Sequence, residues 1–226
     1  MARSRTLTEI ADEAYRFADA VGMTDRHPRA DVVRWCNKGL AELYDLLVAA
    51  KGLDWFRAST TITLVAGTTD YALHAAFYQL LGARVSGGAA LLPFPEGQSA
   101  ELRDAYVQGA SSPRYYQLAA ANITFLPVPA SGSVILDYVP AFTDLADDSV
   151  ATFDGVNGWE TYGSLFAARL MSVKDSDETK VAMLGAETNA MVGRIRGLAR
   201  QRDPSAAGRV KDVRGQEAHS RFRRWQ

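Results

Sequence analysis

Residues 115–140, YYQLAAANITFLPVPASGSVILDYVP, decide what kind of fold this chain can adopt. Ile123, Phe125 and Val128 are apolar around Asn122 and Thr124. Pro127 and Pro129 end that run, because proline has no N–H to give to a ladder. Ser131-Gly132 signals a turn, and Val134, Leu136 and Tyr138 then fall on one face at period two before Pro140 closes the segment. The stretch predicts two or three short antiparallel strands, a sheet core with helical sequence on both sides. It contains no catalytic signature.

Working upstream, residues 55–92 continue the strand pattern. Phe56, Ala58, Thr60, Ile62 and Leu64 alternate with Arg57, Ser59, Thr61 and Thr63. Ala66-Gly67-Thr68 predicts a turn into a short strand over 70–73. Leu80 to Val85 predicts another strand, turned by Ser86-Gly87-Gly88 into 89–92. Ser99 is an N-cap candidate for a short helix through Val107. Before this block the period is helical. Thr6-Leu7-Thr8-Glu9 fits a capping box, and Leu7, Ile10, Ala14, Phe17 and Val21 recur at helical spacing, predicting a helix over 7–21 stopped by Gly22. Pro28 suits the first turn of a second helix over 29–50, striped by Val32, Val33, Cys36, Leu40, Leu43, Tyr44 and Leu47.

Downstream, DLADDSVATFD (144–154) reads as an acidic linker that caps the next helix. Its acids lack the alternation, central Gly and closing Glu of a calcium loop. A third helix is predicted over 157–173 through Trp159, Tyr162, Leu165, Phe166, Leu170 and Val173. After the Asp175-Ser176-Asp177 turn, a fourth is predicted over 177–200 through Val181, Leu184, Met191, Ile195 and Leu198. Leu40, Leu43, Leu47, Trp159, Leu165 and Phe166 are the expected helical core. The fold class expected is therefore α+β. A four-helix bundle forms from N- and C-terminal helix pairs (1–54 and 150–201), an antiparallel β-rich domain spans 55–149, and an extended arm spans 202–226.

Composition narrows function. Net charge is −1, yet from Arg194 onward there are ten basic and three acidic residues, a net +7, which leaves −8 on the rest. An acidic body with a basic arm predicts that the arm meets a partner. The candidate contacts are Arg209, Lys211, Arg214, Arg221, Phe222, Arg223, Arg224 and Trp225. The cations would bond carboxylates, and the two aromatics would anchor. Free of a partner, the arm has too little apolar surface to offset its ordering entropy, so it is expected to be mobile in the free subunit. The single Cys36 rules out an internal disulfide and a cysteine-rich metal site. His27, His74 and His219 stand apart without metal spacing and read as surface or turn residues. No phosphate-binding Gly-Lys loop and no nucleophile elbow occur. No cofactor and no enzymatic role are expected. No apolar run approaches the roughly 20 residues that cross a bilayer, and the N-terminus has no leader-like apolar core, so synthesis in the cytoplasm is expected.

Several ordered pieces resemble the head-to-tail connector, or adaptor, proteins of tailed bacteriophages. They are Trp35-Cys-Asn-Lys-Gly-Leu-Ala-Glu-Leu-Tyr44, Thr60-Thr-Ile-Thr-Leu-Val-Ala-Gly-Thr-Thr-Asp-Tyr-Ala-Leu73, Pro113-Arg-Tyr-Tyr-Gln-Leu118, Ile123-Thr-Phe-Leu-Pro-Val-Pro129, Leu136-Asp-Tyr-Val-Pro140 and Asn157-Gly-Trp-Glu-Thr-Tyr162. The resemblance spans about residues 7–200. One departure is Leu73-His-Ala-Ala-Phe77, where a Leu-Pro-x-Asp-Phe turn would be expected. The resemblance implies a virion protein at the head-to-tail junction: a non-enzymatic ring, usually of twelve copies, docked beneath the portal around a DNA channel. In such a ring the helices pack side by side, the β-rich part faces outward or tailward towards a tail-side protein, and the C-terminal arm reaches the portal, with a neighbouring subunit as a second partner. DNA passes without specific binding, and no membrane is involved. An alternative from another class is a nucleic-acid-binding accessory protein acting through the arm.

Overall fold

The computed structural model describes residues 4–51, 56–94, 112–148, 150–155 and 158–199. The class is α+β: the described residues form four helices and three sheets. Helix α1 spans Leu7–Phe17, α2 Arg29–Lys51, α3 Thr161–Lys174 and α4 Glu178–Ala199. The capping box forms as expected, with Glu9 N–H donating to Thr6 Oγ1 at 3.2 Å and Thr6 N–H to Glu9 Oε2 at 2.9 Å. The first helix ends four residues before the expected 21. Asp19 turns left-handed (φ 53°), Ala20 N–H reaches back to Tyr15 O at 2.9 Å, and the Asp19 N–H bonds Arg16 O at 3.1 Å. This closes the helix by side-chain-independent backbone bonds, which Asp tolerates better than most residues. Ser176 (φ 59°) ends α3 in the same way, with Asp177 N–H on Ser172 O. The third helix starts at Thr161, later than expected; Asn157 lies outside the described residues.

The helices share one apolar core. Helix α2 packs on α3, and both α1 and α4 pack on that pair. Leu40, Leu43, Leu47, Trp159 and Leu165 are buried in it as expected, whereas Phe166 is only half-buried, with the Lys38 ammonium 5.7 Å from its ring centroid. The α2–α3 crossing depends on glycine. A Cβ on Gly39 would stand 2.8 Å from Phe166 Cβ and 3.0 Å from Gly163 Cα, so the two backbones meet with nothing between them.

The central block differs from the single antiparallel sheet expected over 55–140. Strands β2 (Ala58–Leu64), β4 (Phe77–Val85) and β8 (Gly132–Pro140) form one antiparallel sheet in the order β2-β8-β4. Strands β3 (Asp70–Ala72), β5 (Leu92–Pro93), β6 (Tyr115–Ala119) and β7 (Asn122–Leu126) form a second, in the order β3-β7-β6-β5, whose β5–β6 pair is parallel. The opening stretch therefore supplies a hairpin to one sheet and the central strand of the other. Splitting the sheet lets Ile123 and Phe125 of one face Leu64, Ala83, Val134 and Leu136 of the other in a second apolar core. Strand β8 also serves the helices: Val139 is buried in the helical core and Tyr44 Oη donates to Pro140 O at 2.6 Å. A two-stranded sheet, unforeseen in the sequence, pairs β1 (Ser4–Thr6) with β9 (Thr152–Asp154). The helix expected over 99–107 lies outside the described residues.

Candidate functional site

The end of the helical unit is built by two tight turns locked to each other. Residues 18–28 join α1 to α2, and Asp175-Ser176-Asp177 joins α3 to α4. Lys180 Nζ donates to Ala18 O at 3.1 Å and Asp19 Oδ2 at 2.9 Å, and Lys174 Nζ to Arg26 O at 2.7 Å. Arg26 Nε sits 2.5 Å from Asp175 Oδ1. His27 is wholly buried rather than a surface residue, with Nε2 3.0 Å from Asp175 Oδ2. A carboxylate can only accept, so Nε2 carries the proton, and Nδ1 is buried without a partner. Burial raises the Asp175 carboxyl, but the His27 and Arg26 contacts outweigh it and hold it below the usual range. Nothing local in the sequence links residues 27 and 175; only the fold brings them together. Around this lock Val21 (69% exposed), Met23 (50%), Val173 (53%) and Met183 (58%) stand in solvent. Two notches open beside it. One, of about 450 Å³, is lined by Tyr15, Val21, Gly22 and Thr24 with Asp12, Arg16 and Arg29; the other, of about 380 Å³, by Val173, Ser176, Glu178, Val181 and Ala182.

The acidic linker does not cap the third helix. It lies back across α1 and α2. Arg29 holds Asp147 through Nε (2.8 Å) and Nη2 (2.9 Å), Asp12 through Nη1 (2.5 Å), and Thr8 O. Asn37 bonds both the N–H and the carbonyl of Leu145 at 3.0 Å. The Arg29 bonds, with one from Thr8, draw the Asp147 carboxyl below its ordinary value against the effect of burial. Asp148 accepts from the N–H groups of Ala151 and Val150 instead of facing a metal. On the outer face of the three-stranded sheet, Asp137 accepts from Ser59 and from Arg57 Nη2 (2.7 Å), with Arg84 Nε at 3.6 Å. Its carboxyl is lowered first by the Ser59 bond, then, against burial, by the arginines.

No catalytic constellation assembles among the described residues. Cys36 is buried on the apolar face of α2, which raises its thiol to about 12, out of the range of a nucleophile. A cavity of about 490 Å³ lined by Ser4, Arg5, Glu9, Asp12, Glu13 and Arg16 has its carboxylates already engaged: Glu13 by Arg5 at 2.7 Å and by Ser164 at 2.8 Å, Asp12 by Arg29. No group of three or more His, Cys, Asp or Glu side chains suited to a metal occurs among the described residues, and no described helix is long and apolar enough to cross a membrane.

The residues expected to make partner contacts, Arg209, Lys211, Arg214, Arg221, Phe222, Arg223, Arg224 and Trp225, lie outside the described residues. The family model for the SU10 adaptor protein matches residues 5–211, running from β1 through the four described helices and all three described sheets. The chain belongs to the SU10 adaptor protein family. It is a structural adaptor of a bacteriophage, a component of the virion that works through contacts with other virion components. No curated protein matches the adaptor. The matched span includes Arg209 and Lys211 and stops before Arg214 and the aromatic pair.

Proposed function

We propose that this adaptor is a ring-forming subunit of the head-to-tail junction, joining the portal of the capsid to a tail-side protein and continuing the channel for DNA. The observation that carries the reading is the family match over residues 5–211, which takes in both the helical and the β-rich part. In the ring, of twelve copies in the manner of the connectors it resembles, residues 1–54 and 150–201 act as a four-helix bundle packed side by side around the channel. Residues 55–149 face outward or tailward, and the basic arm 202–226 makes an assembly contact through Arg209 to Arg224, Phe222 and Trp225. The acidic body supports this, since a surface of the same sign as phosphate lets a duplex pass without capture.

Electron microscopy of the virion and of the purified chain tests the reading: a closed ring between capsid and tail is expected. Deleting residues 205–226 should leave the subunit folded and reduce its docking onto tail-less heads. A chain found elsewhere in the particle would overturn the assignment. The arm's net charge also supports a second reading, an accessory protein that binds nucleic acid through the arm. Under it, binding to duplex or single-stranded DNA should fall steeply with salt in the full chain and vanish on deletion of the arm.

A further inference from the structure

The locked turns at the end of the helical unit have a composition complementary to the arm. Residues 18–28 and 174–183 carry Asp19, Asp25, Asp175, Asp177 and Glu178 against Arg26, Lys174 and Lys180, a net −2 with His27 neutral. All three cations are spent inside the lock, on Asp175, Arg26 O, Ala18 O and Asp19. Asp25 and Glu178 are exposed, and neither has an ion pair among the described residues. Beside these free carboxylates stand four exposed apolar side chains, Val21, Met23, Val173 and Met183, and the two notches. Scattered apolar residues are ordinary on a surface, but two on the 18–28 turn and two on the helix ends that flank the other turn, with unpaired acids beside them, form a surface suited to a partner both apolar and basic. Residues 205–226 have that chemistry: six cations against two acids, with Val210, Val213, Phe222 and Trp225 interspersed.

We propose that these turns receive the basic C-terminal segment of a second copy of this chain, with the aromatic pair seated in the notches and the arginines on Asp25 and Glu178. Contact between an end surface and a tail found at different places on one chain is heterologous. Such a contact closes into a ring when the rotation between copies closes. Helix α4 starts at the turns and ends 22 residues later, about 33 Å away, so each subunit offers the receptor at one end and launches the segment from the other. The inference rests on the ring reading above and names the surface that joins its copies.

Sedimentation velocity and mass photometry of the full chain test it. The tip reversal Asp25→Lys with Glu178→Lys and the tail reversal Arg221→Glu with Arg223→Glu and Arg224→Glu should each weaken self-association at least tenfold. Combining both reversals in one chain should restore it. Mixing a tip-reversed with a tail-reversed chain should restore association as alternating hetero-oligomers, since each wild-type tail then meets a wild-type tip and each reversed tail a reversed tip. Because the reversed acids are exposed and unpaired, the variants should keep wild-type circular dichroism. As a second probe, Val21→Ser with Met183→Ser should weaken association without altering charge. If the wild-type chain assembles and the tip reversal assembles equally well, the arm–turn contact is wrong and the ring reading survives. If the wild-type chain stays monomeric at every concentration, the arm–turn contact does not join free copies and is overturned, while the ring reading is decided by imaging of the virion. If the mixture gives no hetero-oligomer, the contact between copies is overturned.

Discussion

The two apolar cores of this adaptor are built on different scales. The helical core draws on four helices, on Val139 of β8 and on Phe153 of β9, and joins chain segments some 150 residues apart. The core between the sheets has seven buried members, Leu64, Ala83, Leu91, Ile123, Phe125, Val134 and Leu136, while outer-face residues such as Ser59, Thr61 and Thr63 stay in solvent. The difference teaches where tolerance lies. A sheet pair with polar outer faces can change those faces at little cost, whereas the helical unit holds its geometry through backbone contact and buried polar contacts such as Ser164 Oγ, 2.8 Å from Glu13 Oε2 and 2.9 Å from Ile10 O with one proton to share between them.

The hardest test of that contrast is truncation in each core. Leu43→Ala and Phe125→Ala should each cost about 2–5 kcal/mol. Since β8 serves both cores, helical and sheet signals should disappear in one urea transition in either variant. Two separate transitions would show that the cores are independent units. Next comes a comparison within the helices. Gly39→Ala drives a Cβ into Phe166 and Gly163 and should destabilise by about 1–3 kcal/mol. Gly193→Ala meets nothing within 4 Å and should instead stabilise by about 0.4–1 kcal/mol. Thermal denaturation that lowers both would place a neighbour against Gly193.

A comparable effect is expected at the linker. Arg29→Ala removes its bonds to Asp147, Asp12 and Thr8 O and should cost about 1–3 kcal/mol at pH 7. The loss depends on pH with a definite sign. The Asp147 carboxyl titrates lower in the folded chain than the roughly 3.9 of an unfolded one, so its contribution is present above that value. It disappears as the pH falls through the folded value. The difference in melting temperature between wild type and Arg29→Ala should therefore narrow from pH 7 towards pH 3. A constant difference would mean that Arg29 acts by packing alone. The smallest effect is local: Thr6→Ala breaks the capping box and should cost about 1 kcal/mol, read as a lower melting temperature with unchanged association.

How far the fold was legible follows from the range of the forces involved. Helix existence, the Thr6–Glu9 box and the inward alternation of Ala58, Thr60, Ile62 and Leu64 were readable, because propensity, capping and period act within a few residues. Helix ends were less so: the left-handed Asp19 ended α1 where the apolar period of the sequence ran on to Val21. The expected contact residues, Arg209 to Trp225, were named from charge and aromatic content, which identify a kind of partner without locating its receptor.

By itself, then, the sequence determined the α+β class, the helical stripes, the acidic body with its basic tail, and membership of a phage adaptor family. Only the tertiary structure decided that residues 115–140 divide between two sheets, that His27 is buried against Asp175, that Arg29 gathers Asp12 and Asp147, and that Val21, Met23, Val173 and Met183 share one end. The physical reason is distance along the chain. Pairings across some 17 to 150 residues are set by which faces must leave water together, and no local period records which partner each face will meet.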